Sequence, residues 1–168
     1  QQGINLRLIA TSEVKVSCVI AASAGRKALQ AVRDAFEVAD SQVAINPPLS
    51  GEDEPEVRGV ALDRDQVQLS VRHVPDRPGI AAALCSSLAD NSISIDAIVQ
   101  SERQHADGSR DISFILRKDD RARAAVALAP LLVQLAGAAL EDGDAIARVS
   151  AVGAAMRATA GTAGRMFR

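Results

Sequence analysis

The residues best suited to chemistry lie in one short stretch, Val74-Pro75-Asp76-Arg77-Pro78-Gly79-Ile80-Ala81. Two prolines remove backbone donors and Gly79 frees the main chain, so Pro75–Gly79 is expected to turn between a strand and a helix. Asp76 puts a carboxylate into that turn, where it can meet an ammonium group. Gly79 lets a ligand approach the backbone, and the amides of Gly79, Ile80 and Ala81 at the helix N-terminus can hold a carboxylate. Arg77 and Pro78 complete the turn and belong to the same candidate set. Gln100, near the end of a neighbouring strand, offers a neutral hydrogen bond. Two poles of opposite sign suit a free amino acid. In the competing reading, Asp76 merely caps the helix that begins at Pro78–Gly79.

No comparable pattern supports catalysis, a cofactor or a metal. His73 and His105 are far apart, with no Cys or carboxylate at metal-ligand spacing. His105, in a turn, reads as solvated, and His73 as packing or capping at a strand end. There is no Gly-x-x-x-x-Gly-Lys phosphate loop, and Gly161-Thr162-Ala163-Gly164 is better explained as the start of a small-residue helix. Cys18 and Cys85 are too few for a disulfide framework and are expected as small core residues in a reducing, cytoplasmic compartment. The chain has 168 residues, 48% apolar and 24% charged, a globular balance. Its net charge of −2, with no Trp or Tyr and three Phe, argues against a nucleic-acid surface. The uncharged run Ala124–Leu140 is interrupted by Pro130, Gln134 and Gly137, so a buried helix ending near Leu135 is expected rather than a membrane span.

Elements must position the candidate residues. Ile4–Ile9 and Val14–Ile20 alternate as a hairpin around a turn at Ala10–Glu13. A helix follows from Ser23, its expected N-cap, to Glu37, with Ala28, Leu29, Val32, Ala35 and Phe36 on one face. Residues 39–56, with two prolines, Ser50-Gly51 and an acidic run, form a linker that holds at most a short strand at Gln42–Ile45. Strands are then expected at Val57–Leu62 and Val67–Val74, separated by a turn at Asp63–Asp65. A helix from Ile80 to Leu88 stops at Asp90-Asn91. Strands at Ile93–Gln100 and Ser109–Arg117 flank the hairpin turn at Asp107-Gly108. A helix from Asp119 or Asp120 to Leu135, a weak strand at Ala138–Glu141, a turn at Asp142–Asp144 and a strand at Ile146–Val152 complete the order. Residues 160–168 open another helix. From Val67 to Glu141 the order is β-α-β-β-α-β, an α+β, ferredoxin-like unit.

The chain also repeats itself. Ile4-Asn5-Leu6-Arg7-Leu8-Ile9-Ala10-Thr11-Ser12-Glu13 aligns without a gap on Ile93-Ser94-Ile95-Asp96-Ala97-Ile98-Val99-Gln100-Ser101-Glu102. Arg148–Val152 matches Gln68–Arg72 in strand role, and Gly161-Thr162-Ala163 matches Gly79-Ile80-Ala81. Such repetition implies tandem domains of one fold. Residues 1–38 would be the second half of a domain (β-β-α), 39–56 the linker, 57–144 a complete domain, and 145–168 the first half of a further one (β-α). The two halves are complementary and are expected to form a second unit, within one chain or by exchange in a dimer. The chain starts without Met and stops inside an apparent helix, so a piece of a longer protein is expected.

These motifs resemble the regulatory region of the aspartate kinase family. The likeness rests on Gly59-Val60-Ala61-Leu62-Asp63, Val74 to Ala81, Ile95-Asp96-Ala97-Ile98-Val99-Gln100, Asp111-Ile112-Ser113-Phe114, Val149 to Met156, and Gly3 to Glu13. In that family the repeats are ACT domains, which bind amino acids as feedback effectors. The order here is similar to versions with four ACT domains, cut from the second half of domain two to the first half of domain four. The resemblance implies lysine and/or threonine as effector, contacts from Asn5 and Leu6 of the neighbouring ACT unit, a homodimer, and a kinase domain elsewhere in the parent chain. It implies no catalytic residue, cofactor, metal, nucleic acid or membrane for this region. Ala155 and Ala160 replace a Gly and a Pro of the family pattern, which puts effector contacts from that loop in question. The alternatives are an ACT region of another amino-acid biosynthetic enzyme, such as homoserine dehydrogenase, or a small ferredoxin-like enzyme.

Overall fold

The structure, a computed structural model, describes residues 3–12, 15–39, 57–100, 103–153 and 160–167. The alternating runs become strands β1 (Leu8–Ser12), β2 (Lys15–Val19), β3 (Gly59–Val74), β4 (Ala97–Gln100), β5 (Arg110–Arg117) and β6 (Ala139–Val152). The helical runs become α1 (Gly25–Phe36), α2 (Ile80–Asp90), α3 (Arg121–Gln134) and α4 (Thr162–Met166). Together the strands make one sheet in the order β2-β1-β4-β5-β3-β6. Within it, β3-α2-β4-β5-α3-β6 is the expected ferredoxin-like unit, and the N-terminal hairpin extends the sheet by pairing β1 antiparallel to β4.

The core follows from period-two alternation. Val67, Leu69 and Val71 of β3 and Ile112, Phe114 and Leu116 of β5 point to one face, which Leu84 and Leu88 of α2 and Ala124, Ala127 and Leu128 of α3 cover. Each fully buried Leu or Phe contributes roughly 1.5–3 kcal/mol of transfer free energy. Helices α2 and α3 are also pinned by the Ser87 hydroxyl, which donates to the Ala127 carbonyl at 2.7 Å. No helix among the described residues is long and apolar enough to cross a membrane.

Several expectations are corrected. β3 and β6 each run unbroken through the turns expected at Asp63–Asp65 and Asp142–Asp144. Neither a glycine nor a proline interrupts Asp63-Arg64-Asp65. Gly143 serves close approach rather than a turn, because a Cβ there would lie 2.4 Å from the Gln68 backbone oxygen. β1 starts at Leu8 instead of Ile4, and Ala10-Thr11-Ser12 is strand rather than turn. The reason is pairing on both sides: β1 ladders with β2 and β4, and the Ile98 amide donates to Thr11 Oγ1 at 2.7 Å. β4 is shortened in the same way, since Ile93 sinks into the core and Ile95 packs against it instead of extending the ladder. Ser23 lies within a 3-10 turn, Ala22–Ala24, that leads into α1. The apolar stripe of α1 forms, but it holds no buried residue, and Val32 and Phe36 are exposed. Cys18 is exposed rather than in the core, whereas Cys85 is half-buried and packs against the core. The strand expected at Gln42–Ile45, most of the linker and the Ala155 position lie outside the described residues.

The chain divides into two compact units, residues 1–36 with 65–146, and residues 37–64 with 147–168. In the second, the Arg58 amide donates to the Val152 carbonyl at 2.7 Å.

Candidate functional site

The site grows out of the end of β3. The ladder with β5 slips between Val71 and Val74, and His73 takes a left-handed φ of 53° at that irregularity. The chain then leaves the sheet through Pro75–Pro78, with the Arg77 amide donating to the Pro75 carbonyl at 2.8 Å. Gly79 caps α2 in the left-handed region, φ 96°, where a side chain would be strained. Ala83, whose amide donates to the Gly79 carbonyl at 2.9 Å, opens the i→i−4 ladder of α2. The amides before it carry the positive end of the helix dipole.

These segments enclose a cavity of about 210 Å³. All nine expected residues line it: Asn5 and Leu6 from the segment before β1, Asp76 to Ala81 from the turn and helix start, and Gln100 from the end of β4. Asn5 and Gln100 reach it because β1 and β4, equivalent in the sequence repeat, lie side by side. A volume below the ~300–1,000 Å³ of drug-sized sites suits a ligand as small as an amino acid.

The electrostatics differ from a bare carboxylate in a turn. Asp76 does not cap α2, whose N-terminus has no side-chain cap. Its Oδ2 accepts from Arg110 Nε at 2.8 Å and Gln104 Nε2 at 2.7 Å, and its Oδ1 accepts from Asn5 Nδ2 at 3.3 Å. Desolvation pushes the Asp76 carboxyl up, but these hydrogen bonds and the Arg110 charge outweigh it and hold the group below its usual range. Gln100 is only 5% exposed, and its buried amide oxygen has no hydrogen-bond partner among the described residues. A buried orphan acceptor costs free energy unless a ligand or water supplies a donor.

Arg110 and Gln104 were not evident from the motifs. A signal for Arg110 did exist: it shares the inward parity of Ile112, Phe114 and Leu116, and a charge on that side must find a partner. His105 departs from its solvated reading, whereas His73 packs at the strand end as expected. Their rings stack at 4.3 Å, with His105 Nε2 2.8 Å from Asp111 Oδ1 and His73 Nδ1 3.2 Å from Ser109 Oγ. Asp111 also accepts from the His73 amide and from Arg72, which is paired in turn with Glu141. This cluster braces the irregular end of β3. The described residues contain no group of His, Cys, Asp and Glu arranged to hold a metal ion.

Profiles of the ACT domain match residues 67–130 and residues 1–36. The chain is 38% identical over 111 residues to the aspartokinase of Thermus thermophilus, covering 66% of this chain and 27% of that protein. It is 38% identical over 114 residues to the aspartokinase of Helicobacter pylori, covering 68% and 27%. The aspartate kinase of Synechocystis superposes with a TM-score of 0.88 at 44% identity, over 99% of this chain and 28% of that one. The regulatory subunit of the Thermus flavus enzyme matches at 36% identity and a TM-score of 0.60, over 66% of this chain and 72% of that subunit.

The chain belongs to the aspartate kinase family. It corresponds to the regulatory ACT region of that family and spans about a quarter of the length of the curated relatives it matches. The cavity therefore lies within the ACT-domain part of an aspartate kinase, between the turn of one ACT unit and the segment before β1 of the repeated one.

Proposed function

We propose that this region binds a free amino acid, lysine or threonine, in the cavity as a feedback effector of a kinase domain elsewhere in the parent chain. The observation that carries the reading is the buried, unpartnered amide oxygen of Gln100 in a cavity that also presents Asp76 and the N-terminus of α2. A ligand ammonium would approach Asp76 Oδ1, displacing the long Asn5 contact, and its carboxylate would meet the first amides of α2. Asn5 and Leu6 close the opposite wall. Phosphoryl transfer belongs to the kinase domain, and the role of this region is regulatory, in a cytoplasmic homodimer with neither nucleic acid nor membrane as partner. Calorimetric titration with lysine, threonine and unrelated amino acids tests the reading. Saturable heat for lysine or threonine is expected, and its absence for both, on folded protein, would sink it.

A further inference from the structure

We propose that Arg110 decides the ligand class of this cavity, so that it takes an α-amino acid with an uncharged side chain and rejects a dibasic one. The inference rests on the effector-site reading and deepens it. Asp76 is the one carboxylate among the described lining residues, whereas Arg77 and Arg110 both contribute cations. The Arg110–Asp76 pair is desolvated, with side chains 9% and 10% exposed, so solvent screens it little. Asp76 Oδ2 is already committed to Arg110 and Gln104. Only Oδ1, with its 3.3 Å contact to Asn5, has capacity for an incoming ammonium.

A zwitterion satisfies this arrangement. Its one ammonium takes Asp76 Oδ1, and its one carboxylate takes the α2 amides. A dibasic ligand brings a second cation into a lining whose carboxylate is already neutralised by an arginine. A buried cation without a counter-charge is strongly disfavoured. A neutral side chain with a donor, such as a hydroxyl, would instead serve the orphan oxygen of Gln100. The second contact of Arg110, from Nη1 to the Arg7 carbonyl at 3.4 Å, helps to keep the guanidinium beside Asp76.

The test is calorimetric titration of the full chain with L-threonine, L-lysine and L-norleucine, the last matching lysine in length without its side-chain amine. The same titrations follow on Arg110→Met, which removes the charge at similar length. Threonine and norleucine are each expected to bind the wild type roughly tenfold or more tightly than lysine, which is about 1.4 kcal/mol. In Arg110→Met the lysine penalty should shrink about tenfold. If the variant does not fold, the norleucine-to-lysine ratio on the wild type decides by itself. Lysine binding the wild type as tightly as threonine or norleucine would overturn the proposal and leave the effector site standing, as would an unchanged threonine-to-lysine ratio in folded Arg110→Met. No binding of any of the three to either protein would overturn the effector-site reading and this inference with it.

Discussion

In the proposed site Asp76 would both bind ligand and hold Arg110, two roles that substitution can separate. Removing a charge-assisted ligand contact costs ~1.5–3 kcal/mol, so Asp76→Ala should weaken effector binding roughly tenfold or more. The same change leaves Arg110 nine-tenths buried without its counter-charge, so urea unfolding should show a loss of about 3 kcal/mol. Equal affinity of wild type and folded variant would remove Asp76 from the site. Gln100→Ala deletes a neutral amide rather than a charge, and its effect on affinity should be smaller, about 1 kcal/mol. Asp107 supplies a pH-dependent test. The Ser109 hydroxyl and amide, and then His73, hold its carboxyl down at about 2 against a desolvation that raises it. A depressed carboxylate pKa stabilises the fold above the unfolded value of ~3.9. That contribution disappears as pH falls through about 2. Carbon-detected NMR titration should place Asp107 near that value in the wild type. In Ser109→Ala it should move up towards the ordinary carboxylate range, and an unmoved titration would contradict the assignment.

Among the elements, β3 and β6 carry the most instructive contact. Gly143 sits where a methyl group would meet the Gln68 backbone oxygen at 2.4 Å, and a backbone atom cannot swing aside as a flexible side chain can. Gly143→Ala should therefore destabilise the protein by about 2 kcal/mol, within the range for overpacking, as read by the midpoint of chemical denaturation. A midpoint equal to the wild type would show that the two strands separate at no cost. Phe114, fully buried on β5, is the corresponding test of the helix-covered face. Phe114→Ala should cost roughly 3–5 kcal/mol, and a loss below ~1 kcal/mol would mean that α2 and α3 do not close over the sheet as described.

At the scale of the whole molecule, several apolar side chains among the described residues are exposed. β2 ends the strand order and exposes Val16 and Val19, while α1 exposes Val32 and Phe36. Open edges and apolar faces favour association with a second copy, and the complementary terminal pieces supply a further reason for exchange. Multi-angle light scattering should report at least a dimer. A species of 17.5 kDa alone at high concentration would argue against self-association.

Much of this was legible in the residue order, because the signals are local. Period-two alternation marked the strands, the Pro-Asp-Arg-Pro-Gly turn marked the helix start, and the match of Ile4–Glu13 to Ile93–Glu102 marked β1 and β4 as copies of one element, which the ladder then sets side by side. Turn and repeat together are why nine residues, named from spacing and family likeness, line one cavity. The loss of the turns at Asp63–Asp65 and Asp142–Asp144 was not legible, since a strand that pairs along its whole length overrides weak local turn preferences. Nor was the meeting of His73 and His105, which needs the β3–β5 ladder. The register of that ladder sets Arg110 opposite Val74, two residues before Asp76. Spacing along the chain determined which groups could bind an amino acid. The tertiary structure alone decided that their carboxylate would already hold an arginine, because a pairing across 34 positions depends on register and burial rather than on neighbouring sequence.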